Sequence, residues 1–114
     1  MSISDDPYLE TFAVQDAAAG GGHRLVLSGE LDMAQVPAVE DVLERISANG
    51  TGGIMLDLRG LTFIDSSGVR LVLIAKKLCA ERRCEFGVIP GPASVQRVFE
   101  IAGLSDALPF RVVA

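Results

Sequence analysis

Two serines and an aspartate stand together in FIDSSG, residues 63–68, just ahead of VRLVLIAKKL, whose apolar residues have helical spacing. A serine in such a place can attack as a nucleophile, cap a helix or accept a phosphoryl group. Nucleophilic attack needs a base, and the single histidine, His23, falls at the start of a predicted strand beside a glycine-rich loop. DSSG is not the G-x-S-x-G elbow of a hydrolase, and no G-x-x-x-x-G-K-[ST] nucleotide loop occurs in the chain. Asp57 and Asp65 have no neighbours at metal-ligand spacing. Cys79 and Cys84 lack the further Cys or His that a zinc site of ~4 ligands requires. They read as reduced, partly buried thiols of a cytosolic protein. The expectation is a protein that is not an enzyme and holds neither metal nor cofactor.

Two uses of the serines remain, and they share one geometry. Ser66 falls where the helix should begin, so it suits an N-cap, with Ser67 in the first turn and Gly68 allowing close backbone approach. A phosphoryl group on Ser66 would also be tolerated there, because free N–H groups and the positive end of the helix dipole receive it. What it changes is the surface, which gains ~2 negative charges. Leu71, Ile74, Ala75 and Leu78 form a stripe suited to packing on a sheet, while Val69, Val72 and Leu73 carry apolar surface further round. Either the helix is broadly buried, or that extra surface docks another protein. Glu30 and Asp32, in SGELD at residues 28–32, end a predicted strand. Neighbouring strand exits would bring them beside Asp65, where the carboxylates would repel a phosphate and receive a partner's Arg or Lys. Plain helix capping and a solvated turn are the alternative for both.

The elements that must position these residues follow from pattern. YLETFAVQD (8–16) alternates as a strand, AAAGGG (17–22) reads as a hairpin loop, and HRLVLSGELD supplies the antiparallel partner strand. From Val36 to Ala48 the apolar residues recur at helical spacing, with Pro37 in the first turn and Asn49-Gly50 as the stop. IMLDL (54–58) is a buried strand with RGLTFID as its exit, and Ser66 to about Glu81 is the second helix. Cys84 to Ile89 makes a further buried strand. Ser94 to Ala102 is a third helix with Val95, Val98, Phe99 and Ile101 as its apolar positions, and PFRVV is a possible last strand. The order β-β-α-β-α-β-α-(β) specifies an α/β domain: a mostly parallel sheet of four to five strands, an antiparallel N-terminal pair and about three helices.

Composition agrees with one domain. The 114 residues are 49% hydrophobic with five Phe, one Tyr and no Trp, so Val, Leu, Ile and Ala must build the core. A net charge of −5 disfavours direct nucleic-acid binding. The basic residues Lys76, Lys77, Arg82 and Arg83 read as a solvated helix end. No apolar run approaches the ~18 residues of a membrane span. The polar MSISDDPYLE is unlike a signal peptide, and residues 1–7 are expected to form a disordered tail. A cytoplasmic protein without membrane contact is expected.

SGELD, IMLDL, FIDSSG and RVFEIAGL (97–104) occur in the order seen in STAS domains, and the chain most resembles the free-standing bacterial anti-sigma factor antagonists, from about Tyr8 to Val113. The resemblance implies that Ser66 is phosphorylated by an anti-sigma factor that is itself a serine kinase, and that a serine phosphatase restores the bare form. It implies that the bare protein sequesters that kinase and frees a sigma factor. The docking surface it implies comprises Glu30, Asp32, Asp65, Ser67, Gly68 and Val69, to which the apolar pattern adds Val72 and Leu73. The alternative is a non-switching STAS subunit of a larger assembly, either a stress-signalling complex or a lipid-transport ATPase. Family members usually continue into another helix after the last strand, whereas this sequence stops at Ala114.

Overall fold

A computed structural model describes residues 12–112. Strands β1 (Ala13–Ala19) and β2 (Gly22–Leu31) are followed by helix α1 (Val36–Ala48), strand β3 (Gly53–Ile64), helix α2 (Ser66–Arg82), strand β4 (Glu85–Ile89) and helix α3 (Ala93–Ile101). The sheet order is β1-β2-β3-β4, antiparallel between β1 and β2 and parallel elsewhere. The predicted α/β arrangement is thus the observed one, with four strands. The fifth contracts to a single bridge, Val88 to Phe110, in which Val88 N–H donates to Pro109 O (3.1 Å) and Arg111 N–H to Val88 O (2.8 Å). The expected tail at residues 1–7 and the first part of the expected first strand lie outside the described residues.

The hairpin is tighter than AAAGGG suggested. Ala17–Ala19 extend β1, Gly22 opens β2, and only Gly20 and Gly21 turn the chain, at φ 54° and 86°. Two consecutive positive φ values are what a two-residue hairpin turn needs, and glycine supplies them without steric cost.

β3 is also longer than expected, because RGLTFI continues the strand. Its pairing with β2 slips twice: Val26 faces Asp57 but Ser28 faces Gly60, and Gly29 faces Leu61 but Glu30 faces Phe63. Each slip inserts one extra residue in β3, as a β-bulge does. The inward residues Leu58, Leu61 and Ile64 therefore come every third position, with Arg59–Gly60 and Thr62–Phe63 outside.

Leu25, Leu27, Leu56 and Val88 of the sheet pack against Val39 and Leu43 of α1 and Leu71, Val72 and Ala75 of α2, all buried. α2 lies between α1 on one flank and β3 and β4 beneath. That setting corrects the expected stripe: Val69 and Val72 are buried, while Ile74 is exposed. α3 buries Val95 and Phe99, and Ile101 points outward at 80% exposure, contrary to its expected core position. α3 ends in a Schellman turn, in which Gly103 N–H donates to Glu100 O and Leu104 N–H to Phe99 O. Lys76, Lys77, Arg82 and Arg83 are exposed, as the reading of a solvated helix end required. Among the described residues no helix is long and apolar enough to cross a membrane.

Candidate functional site

Parallel pairing of β2 and β3 brings the two acidic motifs to one edge. Glu30 stands opposite Phe63 and Leu31 opposite Ile64, and Asp65 N–H donates to Leu31 O at 3.4 Å. SGELD and FIDSSG therefore leave the sheet side by side, as expected from strand order. Asp32 Oδ1 accepts from Ala34 N–H (2.9 Å), and its carbonyl accepts from Gln35 and Val36 N–H, a turn that launches α1. Glu30 is exposed.

The capping role belongs to Asp65 and not to Ser66. Asp65 has extended backbone (φ −111°, ψ −172°), and its Oδ1 accepts from Ser67 N–H at 2.9 Å and Gly68 N–H at 3.1 Å. Carboxylate and hydroxyl cap comparably well, so the residue that turns from extended to helical backbone takes the role. Ser66 is then the first helical residue and is exposed. Ser67 is half-buried. Gly68 is buried, and a Cβ there would stand 2.6 Å from Ile64 Cγ1 and 3.0 Å from Leu31 O. Gly68 lets the first turn of α2 sit directly on the strand ends.

Of the apolar positions expected to dock a partner, Leu73 is 36% exposed, but Val69 and Val72 belong to the core, at 6% and 0% exposure. In their place the structure exposes Met33 (75%), Phe63 (46%) and Ile74 (38%). A shallow groove of about 390 Å³ runs beside Ser67. Met33, Val36 and Pro37 form one wall, and Ser67, Arg70 and Ile74 the other. Sequence reasoning missed Met33, Phe63, Arg70 and Ile74. The signal for Met33 and Phe63 was adjacency, since one follows Asp32 directly and the other precedes Ile64 and Asp65. For Ile74 and Arg70 there was no local signal.

Glu40 also lines the groove, whereas His23, Asp57 and Cys79 do not. His23, the second residue of β2, pairs with Asp16 (Nδ1 to Oδ1, 2.8 Å), at the opposite end of the sheet from Ser66, so it cannot serve Ser66 as a base. Asp57 is buried and gripped by Arg59 through Nε (3.0 Å) and a second guanidinium nitrogen (2.7 Å). Those hydrogen bonds hold its carboxyl below the usual carboxylate range, against the opposing pull of burial. Burial, reinforced by the neighbouring Cys84 thiol, pushes the Cys79 thiol up to about 12. Among the described residues no group of three His, Cys, Asp or Glu is placed to hold a metal.

A family model described as "Mlab, STAS domain" matches residues 14–113. The anti-sigma-B factor antagonist of Staphylococcus aureus (strain NCTC 8325 / PS 47) is 30% identical over 86 residues, covering 75% of this chain and 80% of that protein. An anti-sigma factor antagonist from Mycobacterium paratuberculosis superposes with TM-score 0.81 at 21% identity, covering 90% of this chain and 87% of that one. The Bacillus anti-sigma factor antagonist SpoIIAA is similar in its unphosphorylated form (TM-score 0.77, 24% identity, 90% and 89% covered). Its phosphorylated form superposes at 0.71 with 23% identity, covering 90% and 92%. At these identities the structural likenesses speak for the fold.

Proposed function

The chain belongs to the STAS-domain anti-sigma factor antagonist family, and from that premise we propose that it is a cytoplasmic binding protein switched by phosphorylation of Ser66. The bare form docks an anti-sigma factor with serine kinase activity and so releases a sigma factor. Transfer of the ATP γ-phosphoryl group to Ser66 Oγ ends the complex, and hydrolysis by a serine phosphatase renews it.

The observation that carries this reading is the division of labour between Asp65 and Ser66. Asp65 satisfies the helix start, so the exposed Ser66 hydroxyl can be esterified without unpicking a cap. The dianion then arises beside the Asp65 carboxylate, at the edge where SGELD and FIDSSG leave the sheet and next to the groove lined by Met33, Ser67 and Ile74. A partner that had buried those side chains would have to desolvate a phosphate. Leu73 extends the same face along α2, while the buried Gly68 and Val69 shape it from beneath.

The test is titration of the cognate anti-sigma kinase with the unmodified chain, the kinase-phosphorylated chain and Ser66→Ala. Tight binding of the first and third, with loss in the second by tenfold or more, is expected. Equal affinity of the first two would refute the switch and leave the alternative of a non-switching STAS subunit. Phosphate still entering Ser66→Ala would move the site to Ser67.

A further inference from the structure

Resting on the phosphorylation proposed above, we infer that Arg70 is the residue that reads the state of Ser66. Its guanidinium is offered to the partner while Ser66 is bare and is taken up by the phosphoryl group once Ser66 is modified.

Residues four apart on a helix lie one above the other, with Cβ atoms ~5–6 Å apart. Every helical side chain also leans toward the helix N-terminus. Arg70 stands four residues after Ser66 and three after Ser67, so its side chain is directed back over the Ser66–Ser67 turn. It is exposed and lines the groove with Ser67 and Ile74. Among the described residues no hydrogen bond or ion pair engages its guanidinium. It is the only basic side chain in the first two turns of α2, SSGVRLVL.

Several acidic residues come to the same edge of the molecule. Glu30 comes from the end of β2, Asp32 from the loop that follows, Glu40 from α1 across the groove and Asp65 from the cap. A phosphate on Ser66 therefore has one cation within reach along its own helix, and guanidinium binds phosphate through paired N–H donors. Modification acts twice on one face: it adds negative charge, and it withdraws the positive charge that the bare surface presented. The partner that fits the bare surface sets a carboxylate against Arg70 and an apolar side chain into the groove between Met33 and Ile74.

The test uses the full chain with phosphoserine installed at position 66 during translation, so that no kinase is involved. Phosphorus NMR follows the second ionisation of the phosphate in the otherwise unsubstituted chain, in Arg70→Gln and in Arg70→Lys. Glu30, Asp32, Glu40 and Asp65 are common to all three and cancel in the comparison. The midpoint is expected to rise by about 0.5 pH unit in Arg70→Gln, the size of a solvent-exposed ion pair, with Arg70→Lys in between. Coincident midpoints in the unsubstituted chain and Arg70→Gln would overturn the pairing. The two proposals fail separately. If midpoints differ but no kinase modifies Ser66, the switch falls and the pairing stands; if Ser66 is modified and midpoints coincide, only the pairing falls.

Discussion

Replacing Asp65 and Ser66 singly by alanine separates capping from signalling. Asp65→Ala removes the acceptor of two N–H groups, at 2.9 and 3.1 Å. Loss of an N-cap costs ~1 kcal/mol and up to ~2. Withdrawing a carboxylate from the helix start adds a few tenths, about 0.3 or more. The expected loss is ~1–2 kcal/mol, which for a domain of this size lowers Tm by ~5–10 °C. Ser66→Ala removes an exposed hydroxyl at a helical position where alanine is the best helix former, so its effect should stay within ~0.5 kcal/mol. Asp65→Asn keeps the accepting oxygen and should fall close to the unsubstituted chain. Urea unfolding followed by circular dichroism at pH 7 gives all three values, provided the denaturant slopes match. If Ser66→Ala loses as much as Asp65→Ala, the hydroxyl is holding the helix, and phosphorylation would have to disturb the fold to act.

Other outcomes follow from the same coordinates. Gly68→Ala gains ~1 kcal/mol of helix propensity but sets a methyl group 2.6 Å from Ile64 Cγ1 and 3.0 Å from a backbone carbonyl. Overpacking of ~1–3 kcal/mol should prevail, so Tm falls; a rise would show that the strand ends yield freely. Asp57 has a folded-state pKa below the ordinary ~3.9 of an aspartate. Its contribution to stability is therefore complete above that ordinary value and is lost as pH falls through the lower, folded value. Urea midpoints from pH 6 down to 2 should drop less steeply in Asp57→Asn; identical slopes would show that Arg59 does not stabilise the charge. Iodoacetamide at pH 8 should add one label to the native chain, at half-buried Cys84, because burial keeps the Cys79 thiol protonated up to about 12. Mass spectrometry showing two native labels would contradict the burial of Cys79.

Much of this fold was legible because helices and short buried strands announce themselves by period. The bounds of α1 were those expected, and α2 and α3 differed from expectation by about a residue at an end. β3 was foreshortened in the reading because its two bulges replace alternation by a period of three, so Leu58, Leu61 and Ile64 match no strand template. On α2 the apolar arc was visible, but which flank α1 would cover was not. Val72 and Ile74 are equally apolar in sequence and opposite in fate, at 0% and 38% exposure. Ile101 repeats the lesson, standing exposed at the end of α3 although it is as apolar in sequence as the buried Val95 and Phe99. Asp65 and Ser66 are adjacent and chemically able to cap alike, and only the backbone angles decide between them. The meeting of SGELD with FIDSSG needed no such detail, because parallel neighbours place their exits together.

The short stretch after α3 has a role that partner binding does not reveal. By engaging both the N–H and the C=O of Val88, Pro109 and Arg111 close the outer margin of β4 near its C-terminal end. A nick just beyond Leu108 would leave that margin open, a template on which foreign strands can zip. These few residues work as a doorstop against self-association, and their removal would show first as precipitation, with Ser66 and its surroundings still intact.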